Sequence, residues 1–418
     1  MSPNSLIVLI GLLLSLASPA LADAKECLSC HPLKLTDRHG LLGCSACHAA
    51  EQNAAHAQGS SGARAACRRC HPQMAGILNH AMATRAPERD LVAATFGRHN
   101  PQFFSSNCTG CHVQGCNDCH GTGHQISRPA NDICLHCHKG GKIGWDYLGR
   151  APREDSLRYQ RGPQAQGEFY LAMRPDIHAE AGMVCADCHT MSSLLAGEKS
   201  SKHCQDCHQP DLSVIEHGIP AHLTKLECYA CHSAWSPQEY GSFYLRMVDT
   251  PARDFFYVRQ NPASDTIKSA YLKLQEAPPL GLNSRGLLSP IRPLIGYYSN
   301  IVAGEPVGVE NRLVIAGWQP FFPHTVRRGT VMCEQCHNNP RRFLLEAEEK
   351  RIYRPDLDGL GLSSFWNRSG QTMRQGAFVP PEKVEALRRK SPAYIKAYIQ
   401  KWQKFINRVD PSSNSSAE

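Results

Sequence analysis

The sequence has little of what a chain of 418 residues needs for a conventional apolar core or for a membrane span. Aromatic residues make up only 7% of it, and the apolar stretches beyond the N-terminus are short. No stretch after residue 22 approaches the roughly 20 apolar residues with which a helix crosses a bilayer. The charge is also moderate, since 45 Lys and Arg stand against 37 Asp and Glu. We therefore expect a soluble mature protein.

The one long apolar run lies at the N-terminus. Leu6–Ala17 is mostly apolar, Pro19 interrupts it, and Ala20-Leu21-Ala22 matches the small-residue pattern of a signal cleavage site. Residues 1–22 are therefore predicted to be a secretory signal peptide, and the protein to be periplasmic, with an extracellular or membrane-associated location as alternatives. Because Met1–Ser5 contains no Lys or Arg, an uncleaved N-terminal anchor remains an alternative.

No cysteine stands outside a repeated motif. The 20 cysteines form ten Cys-x-x-Cys-His motifs, which leaves no thiol over for a disulfide. The paired cysteines are Cys27 and Cys30, Cys44 and Cys47, Cys67 and Cys70, Cys108 and Cys111, Cys116 and Cys119, Cys134 and Cys137, Cys185 and Cys188, Cys204 and Cys207, Cys228 and Cys231, and Cys333 and Cys336. The histidines that end the motifs are His31, His48, His71, His112, His120, His138, His189, His208, His232 and His337.

The spacing within the motif has a physical reason. One helical turn places two thiols on the same side, where both can form thioethers with the vinyl groups of one haem, and the next residue, His, can reach the iron. Zinc sites also use Cys-x-x-Cys, but they draw four ligands from paired clusters and give no reason for a His after every pair. A thioredoxin-like motif would occur once, in a βαβ setting. The sequence therefore predicts ten covalently bound haem c groups.

Eleven further histidines nearly match the ten that a second axial ligand on every haem would require. Nine of them are predicted distal ligands: His39, His56, His80, His99, His124, His178, His217, His222 and His324. Several lie a few residues upstream of a motif, so one segment could place its upstream His on one iron and its motif on the next. His136 and His203 remain open, because each lies within or beside a motif. Met is the rival ligand, but only nine Met are present, without regular placement.

Ligation by two histidines favours electron transfer. An iron with two strong protein ligands has no open position for a substrate, whereas a catalytic haem needs a vacant or weakly held one. The sequence therefore predicts an electron-transfer protein rather than an enzyme, with no catalytic residue assigned. Because eleven histidines are available for ten positions, one open haem is an alternative, and with it a reductase of a small sulfur or nitrogen oxyanion.

The motifs are crowded into the first part of the chain. Nine fall between Cys27 and His232, at about 23 residues per haem, which is too few for an apolar core around each cofactor. We expect the fold class of a multihaem cytochrome c, with short α-helices and irregular loops around a stacked haem core and little β-sheet. The predicted domains are the signal peptide (1–22), a nine-haem domain (23–235), a haem-poor segment that closes with the tenth motif (236–380), and a basic amphipathic helical segment with a disordered tail (381–418).

The haem-poor segment contains strand-like apolar runs at Phe243–Leu245, Phe255–Val258 and Leu313–Ala316, whereas Pro278–Pro279 and Leu287–Ile295 are predicted to be loops. We expect the segment to pack against haem faces, with a surface for a partner as the alternative.

Two helices are predicted between Pro381 and Val409, because Pro392 would interrupt one long helix and suits the first position of a second. An apolar face then runs through Ile395, Ile399, Trp402 and Ile406, with Lys and Arg crowded around it. Packing of this face on the protein body and docking on a membrane surface or redox partner both remain open.

The ten motifs, the signal peptide and the additional histidines resemble the periplasmic multihaem c-type cytochromes of anaerobically respiring bacteria. The resemblance covers about residues 27–337. The Cys185 region and Pro323-His324-Thr325 are also weakly similar to the octahaem tetrathionate-reductase-like group, whose active haem carries a Lys in place of the motif His. Here every motif ends in His, which weighs against a matching active site.

The resemblance implies redox protein partners: a quinol-oxidising membrane complex, a terminal reductase or an outer-membrane conduit. Peripheral membrane association is a further alternative. A nucleic-acid partner is not expected, because the two propionates of each haem would bring the formal charge of +8 to around −2.

Overall fold

Short helices, joined by loops and followed by a large sheet, make up the computed structural model of this protein. The structure describes residues 39, 42, 46–47, 67–108, 113–121, 125–138, 146–147, 160–165, 168–172, 176–198, 200–234, 236–249, 265–275, 278–328, 331–351, 368, 370–389 and 392–409. Several predicted ligands lie outside these residues: Cys27, Cys30, His31, Cys44, His48, His56, Cys111, His112 and His124.

Most helices are one or two turns long, as the spacing of the motifs predicts. The α-helices are Ala81–Thr84, Ala86–Ala94, Phe103–Cys108, Asn117–His120, Asn131–Cys137, Ile177–Glu180, Cys185–Cys188, Met191–Leu195, Cys204–Cys207, Pro220–Lys225, Cys228–His232, Glu334–His337, Pro381–Arg388 and Pro392–Val409. The 3₁₀-helices are Pro72–Asn79, Phe96–Arg98, Pro340–Phe343 and Glu348–Lys350, and a further helical turn covers residues 67–70.

Contacts divide the chain into two units. One contains the described residues up to Leu91 together with 108–137 and 184–202, and the other contains 92–107, 138–183 and the described residues from His203 onward. The division differs from the predicted boundary after residue 235, because the motifs that begin at Cys204 and Cys228 group with the sheet that follows them.

Two sheets are present in the second unit. The small sheet has the order β1-β3-β2, and the large one has β10-β9-β7-β4-β5 as its main path, with β6 pairing with β7 and β11 and β8 pairing with β7. The strands are β1 (Asp146–Tyr147), β2 (Gln160–Ala165), β3 (Glu168–Ala172), β4 (Ser236–Val248), β5 (Thr266–Gln275), β6 (Leu280–Asn283), β7 (Leu288–Val302), β8 (Glu305–Pro306), β9 (Arg312–Pro320), β10 (Thr372–Met373) and β11 (Gly376–Ala377).

The expectation of little β-sheet is therefore wrong for this part of the chain. The predicted strands at Phe243–Leu245 and Leu313–Ala316 are confirmed within β4 and β9, whereas Phe255–Val258 lies outside the described residues. The loop predicted at Leu287–Ile295 is wrong, because most of that stretch belongs to β7. Pro290 and Pro293 suggested a loop, since proline cannot donate to a ladder. The carbonyl of Pro290 nevertheless accepts the N–H of Phe321, so the strand is paired around its prolines.

Protein side chains form the core of the second unit. One cluster joins Ile291, Ile295, Tyr297, Trp318 and Leu344. A second joins Ala230, Leu280, Phe343, Val379 and Val384, and Cys336 packs against it. Since Ala230 lies inside the ninth motif and Cys336 inside the tenth, this core fixes both motifs on the sheet.

The predicted pair of C-terminal helices is confirmed, with Pro392 as the first residue of the second. The segment 236–380 is otherwise the sheet with the tenth motif inserted after β9. Among the described residues, no helix is both long enough and apolar enough to cross a membrane.

Candidate metal centres

Five of the motifs that the structure describes are closed by the same backbone hydrogen bond. The motif histidine donates its N–H to the carbonyl of the first cysteine, one helical turn earlier. These bonds are His71 to Cys67 at 2.9 Å, His120 to Cys116 at 3.0 Å, His189 to Cys185 at 2.9 Å, His208 to Cys204 at 2.9 Å and His337 to Cys333 at 2.8 Å. Because residues three and four apart share one face of a helix, the turn presents both thiols and the imidazole together.

An aspartate inside three of the motifs stabilises the turn from its N-terminus. The carboxylate of Asp187 accepts the N–H of Val184 at 2.7 Å, and that of Asp206 accepts the N–H of His203 at 2.8 Å. Asp118 accepts the N–H of Gly115 at 3.0 Å in the same way. Such bonds satisfy amides that a short helix leaves without partners. The residue between the cysteines therefore helps to set the geometry of the motif.

Four histidine pairs lie at nearly the same separation. Each pair joins a motif histidine to a histidine outside the motifs. The ring centres are 6.3 Å apart for His39 and His71, 5.9 Å for His178 and His208, 6.0 Å for His217 and His232, and 6.2 Å for His222 and His337. These four outer histidines are all among the predicted distal ligands.

The separation fits two imidazoles on one metal ion. A nitrogen binds a metal at about 2.0–2.1 Å and lies about 1.1 Å from its ring centre, so ligands on opposite sides would have centres roughly 6.3 Å apart. The ring centres of ordinary aromatic pairs lie about 4.5–7 Å apart, and this range includes the separations observed here. They give no reason, however, for every pair to combine one motif histidine with one non-motif histidine.

The second ring nitrogen adds an observation on the two explanations. In the second unit, both rings of two pairs direct Nδ1 at a backbone carbonyl. The contacts are His217 to Asp211 at 3.3 Å, His232 to Arg327 at 2.9 Å, His222 to Glu216 at 3.0 Å and His337 to Leu387 at 3.0 Å. A carbonyl can only accept, so each Nδ1 must carry a hydrogen, and in the neutral ring Nε2 is then the nitrogen with a lone pair. This is the arrangement with which proteins orient metal-bound histidines.

Three of the four pairs are staggered along the chain, whereas His217 precedes the ninth motif and pairs with His232 of that same motif. His39 lies upstream of the second motif but pairs with the third, and His178 lies upstream of the seventh but pairs with the eighth. His222 lies upstream of the ninth motif and pairs with the tenth. In these three pairs one segment could serve two centres, which stays a prediction.

Thiols of different motifs are in contact within each unit. Cys67 and Cys116 share a hydrogen bond, as do Cys134 and Cys185, and Cys204 and Cys228. The bond from Cys204 lowers the pKa of Cys228 to about 6. Burial, followed by the neighbouring Cys185, raises the pKa of Cys134 to about 11. All three contacts join the first cysteines of two motifs, so different motifs lie side by side within each unit.

Three other predicted ligands are placed differently. The Nδ1 of His80 accepts the N–H of Met82 at 3.2 Å and caps a helix, so the neutral ring carries its hydrogen on Nε2, and this geometry gives no support to ligation. His99 stacks on Tyr298 with ring centres 5.9 Å apart. His324 contacts Phe322 and has a φ of 55°, a left-handed conformation that is strained for histidine and is enriched at functional sites. The ligand predictions for His99 and His324 stay predictions.

Glu216 links the tenth centre to the C-terminal helix. Its backbone carbonyl holds His222, and its carboxylate contacts the sulfur of Cys333 at 3.9 Å and forms an ion pair with Lys401. Burial acts to raise the pKa of Glu216, but the hydrogen bond from Lys401, a backbone hydrogen bond and the nearby charge of Lys401 together outweigh it, and the pKa lies below its ordinary value. For His222 the effect of burial has the opposite sign. Burial lowers the pKa of this imidazole, which favours the neutral ring that a ligand requires.

A buried arginine joins the ninth and tenth motifs. Arg342 is 1% exposed, and its Nη2 lies 2.9 Å from the carbonyl oxygen of Ala230 and 3.9 Å from the sulfur of Cys336. Its Nε has no hydrogen-bond partner among the described residues. Sequence reasoning missed both Glu216 and Arg342, because neither lies in a motif or at a regular distance from one.

The residues present fit covalent haem: paired thiols on one turn, a motif imidazole beside them, and a second imidazole opposite. No protein-family model, curated protein or solved structure matches the chain.

Proposed function

We propose that the protein is a multihaem c-type cytochrome that carries electrons through ten covalently bound haems, most of them held by two histidines. The observation that carries the proposal is the set of four histidine pairs, with Nδ1 bonded to backbone carbonyls on both rings of two pairs. When bound, haem supplies one-electron chemistry.

The chain's part is to attach, orient and enclose the cofactor. The thiols of each motif would hold the haem through two covalent bonds, and the motif histidine would be one ligand of the iron. The staggered histidines provide the other, so the ring that holds one centre belongs to a segment that attaches the next. Two strong ligands leave no position for a substrate, which favours electron transfer over catalysis.

Conduction requires neighbouring centres to lie close together, and contacts within each unit support this. In the second unit, Cys204 contacts Cys228, and the Nη2 of Arg342 touches both Ala230 and Cys336. The eighth, ninth and tenth motifs therefore form a continuous series. In the first unit, the third motif contacts the fifth and the sixth contacts the seventh.

The proposed setting is anaerobic respiration in the periplasm. The N-terminal signal-like segment supports export, which haem attachment to reduced thiols outside the cytoplasm would require. A quinol-oxidising membrane complex would supply electrons, and a terminal reductase or outer-membrane conduit would accept them.

Electron paramagnetic resonance of the oxidised protein, combined with turnover assays, tests the proposal. We expect low-spin signals that account for nearly all haems, and no reduction of nitrite, tetrathionate or hydroxylamine. A stoichiometric high-spin signal together with turnover of one of these compounds would instead identify an enzyme with an open haem.

A further inference from the structure

The C-terminal helix, Pro392–Val409, exposes a continuous apolar face. Six large apolar side chains on it are between 44% and 70% exposed. They are Ile395, Ile399, Trp402, Phe405, Ile406 and Val409. Single exposed apolar residues are normal on a protein surface, but a cluster of this kind marks an interaction site.

Packing of the helix against the rest of the second unit leaves this face outside. Tyr394 contacts the ring of His337, with centres 4.9 Å apart. Lys401 forms its ion pair with Glu216, and the Nζ of Lys404 donates to the carbonyl of Ser213 at 2.8 Å. The helix is therefore anchored along one edge, and its apolar residues remain exposed beside that edge.

The apolar surface continues onto the segment that the helix contacts. Leu212 and Val214 flank Ser213, and they are 64% and 41% exposed. The helix face is open, with only a shallow depression lined by Pro392, Ile395, Lys396 and Ile399. Such a shape suits insertion into a soft interface better than it suits the enclosure of a partner helix.

The charge of the helix identifies the occupant. It contains Lys396, Lys401, Lys404 and Arg408 and no acidic residue. A second copy would bring like charges together, whereas an anionic surface would attract them. A helix with a cationic polar side and an apolar side with Trp and Phe has the character of those that lie in the plane of a membrane interface.

We propose that this face of the C-terminal helix docks on an anionic lipid surface. The helix would lie in the headgroup region, with Ile399 and Trp402 inserted and Lys396 and Arg408 near the lipid phosphates. Because Tyr394 on the same helix contacts His337, docking would bring the tenth motif to the membrane. Only that last consequence, electron exchange at the tenth centre, rests on the proposed function.

Vesicle sedimentation of the full-length, haem-loaded protein tests the proposal. Mixed phosphatidylcholine–phosphatidylglycerol vesicles should bind the protein, and pure phosphatidylcholine vesicles should bind it weakly. The double variant Ile399→Gln/Trp402→Gln should reduce binding at least about tenfold, since each removes a side chain of substantial apolar area. Lys396→Gln/Arg408→Gln should weaken binding to mixed vesicles and reduce its salt dependence.

Val307→Gln/Val309→Gln is the matched control, because these side chains are 54% and 60% exposed but lie elsewhere. It should bind as the unaltered protein does. The proposal is overturned if the unaltered protein ignores anionic vesicles, if the helix variants bind as well as the control, or if the helix face instead drives self-association. The haem spectrum of each sample tests the proposed function separately. Lipid binding does not depend on which residues ligate the iron, so the two proposals can fail independently.

Discussion

Replacement of His222 by Ala should convert one haem, and only one, from low spin to high spin. His222 faces His337 with ring centres 6.2 Å apart, and its Nδ1 is held by the carbonyl of Glu216 at 3.0 Å. The neighbouring pair, His217 and His232, is fixed by separate carbonyls. With ten motifs in the chain, the low-spin signal should fall by about one tenth.

The change should not unfold the protein. It removes one partly buried ring and one hydrogen bond of about 1 kcal/mol net, whereas the covalent thioethers and the rest of the core remain. Leu223→Gln is the matched control, because Leu223 follows His222 in the same helix and is 37% exposed. The control should keep every haem low-spin.

Spin quantitation of the oxidised protein measures the effect. The variant should gain one high-spin iron per chain, and free imidazole should restore the low-spin form by replacing the missing ligand. An unchanged spectrum would refute the pairing of His222 with the tenth motif. Loss of several low-spin irons would refute the claim that each outer histidine serves one centre.

Three further perturbations follow from the structure. Arg342→Met should lower the reduction potential of the ninth or tenth haem by on the order of 40 mV, which corresponds to a loss of about 1 kcal/mol of charge interaction. A redox titration measures this shift. Equal potentials in Arg342→Met and in the charge-preserving Arg342→Lys would contradict the prediction. His80→Asn should leave the low-spin count unchanged, because asparagine also caps helices, and a new high-spin iron would show that His80 is a ligand. Ile291→Ala should reduce the free energy of unfolding, measured by urea titration, by about 3 kcal/mol, since Ile291 is fully buried in the core. The exposed control Val309→Ala should change it little. A similar loss of stability in both variants would argue against this core.

The sequence predicts the local geometry of the motifs well, because the relevant atoms lie within one helical turn. The hydrogen bond from His337 to Cys333 needs only residues four apart. The upstream position of His39, His178 and His222 also suggested distal ligands that serve a neighbouring centre. In the structure each of these rings faces the histidine of the motif after the one that it precedes.

The identity of each partner could not be predicted, because the pairs are closed by tertiary structure. His222 reaches His337 across 115 positions of the chain, which include six strands of the large sheet. The sheet itself was underestimated because Pro290 and Pro293 obscured β7. The position of Arg342 between two motifs could not be predicted for a similar reason, since its contacts with Ala230 and Cys336 exist only once the core has formed.

The mass of the intact, mature protein tests the central claim most directly. The protein would be produced in a host with haem-attachment machinery, purified and analysed by mass spectrometry under denaturing conditions, which remove any non-covalent cofactor. The account predicts the mass of the chain plus ten haems, with none of the 20 cysteines open to alkylation. A mass equal to that of the bare chain, with cysteines that react freely or coordinate zinc, would contradict it.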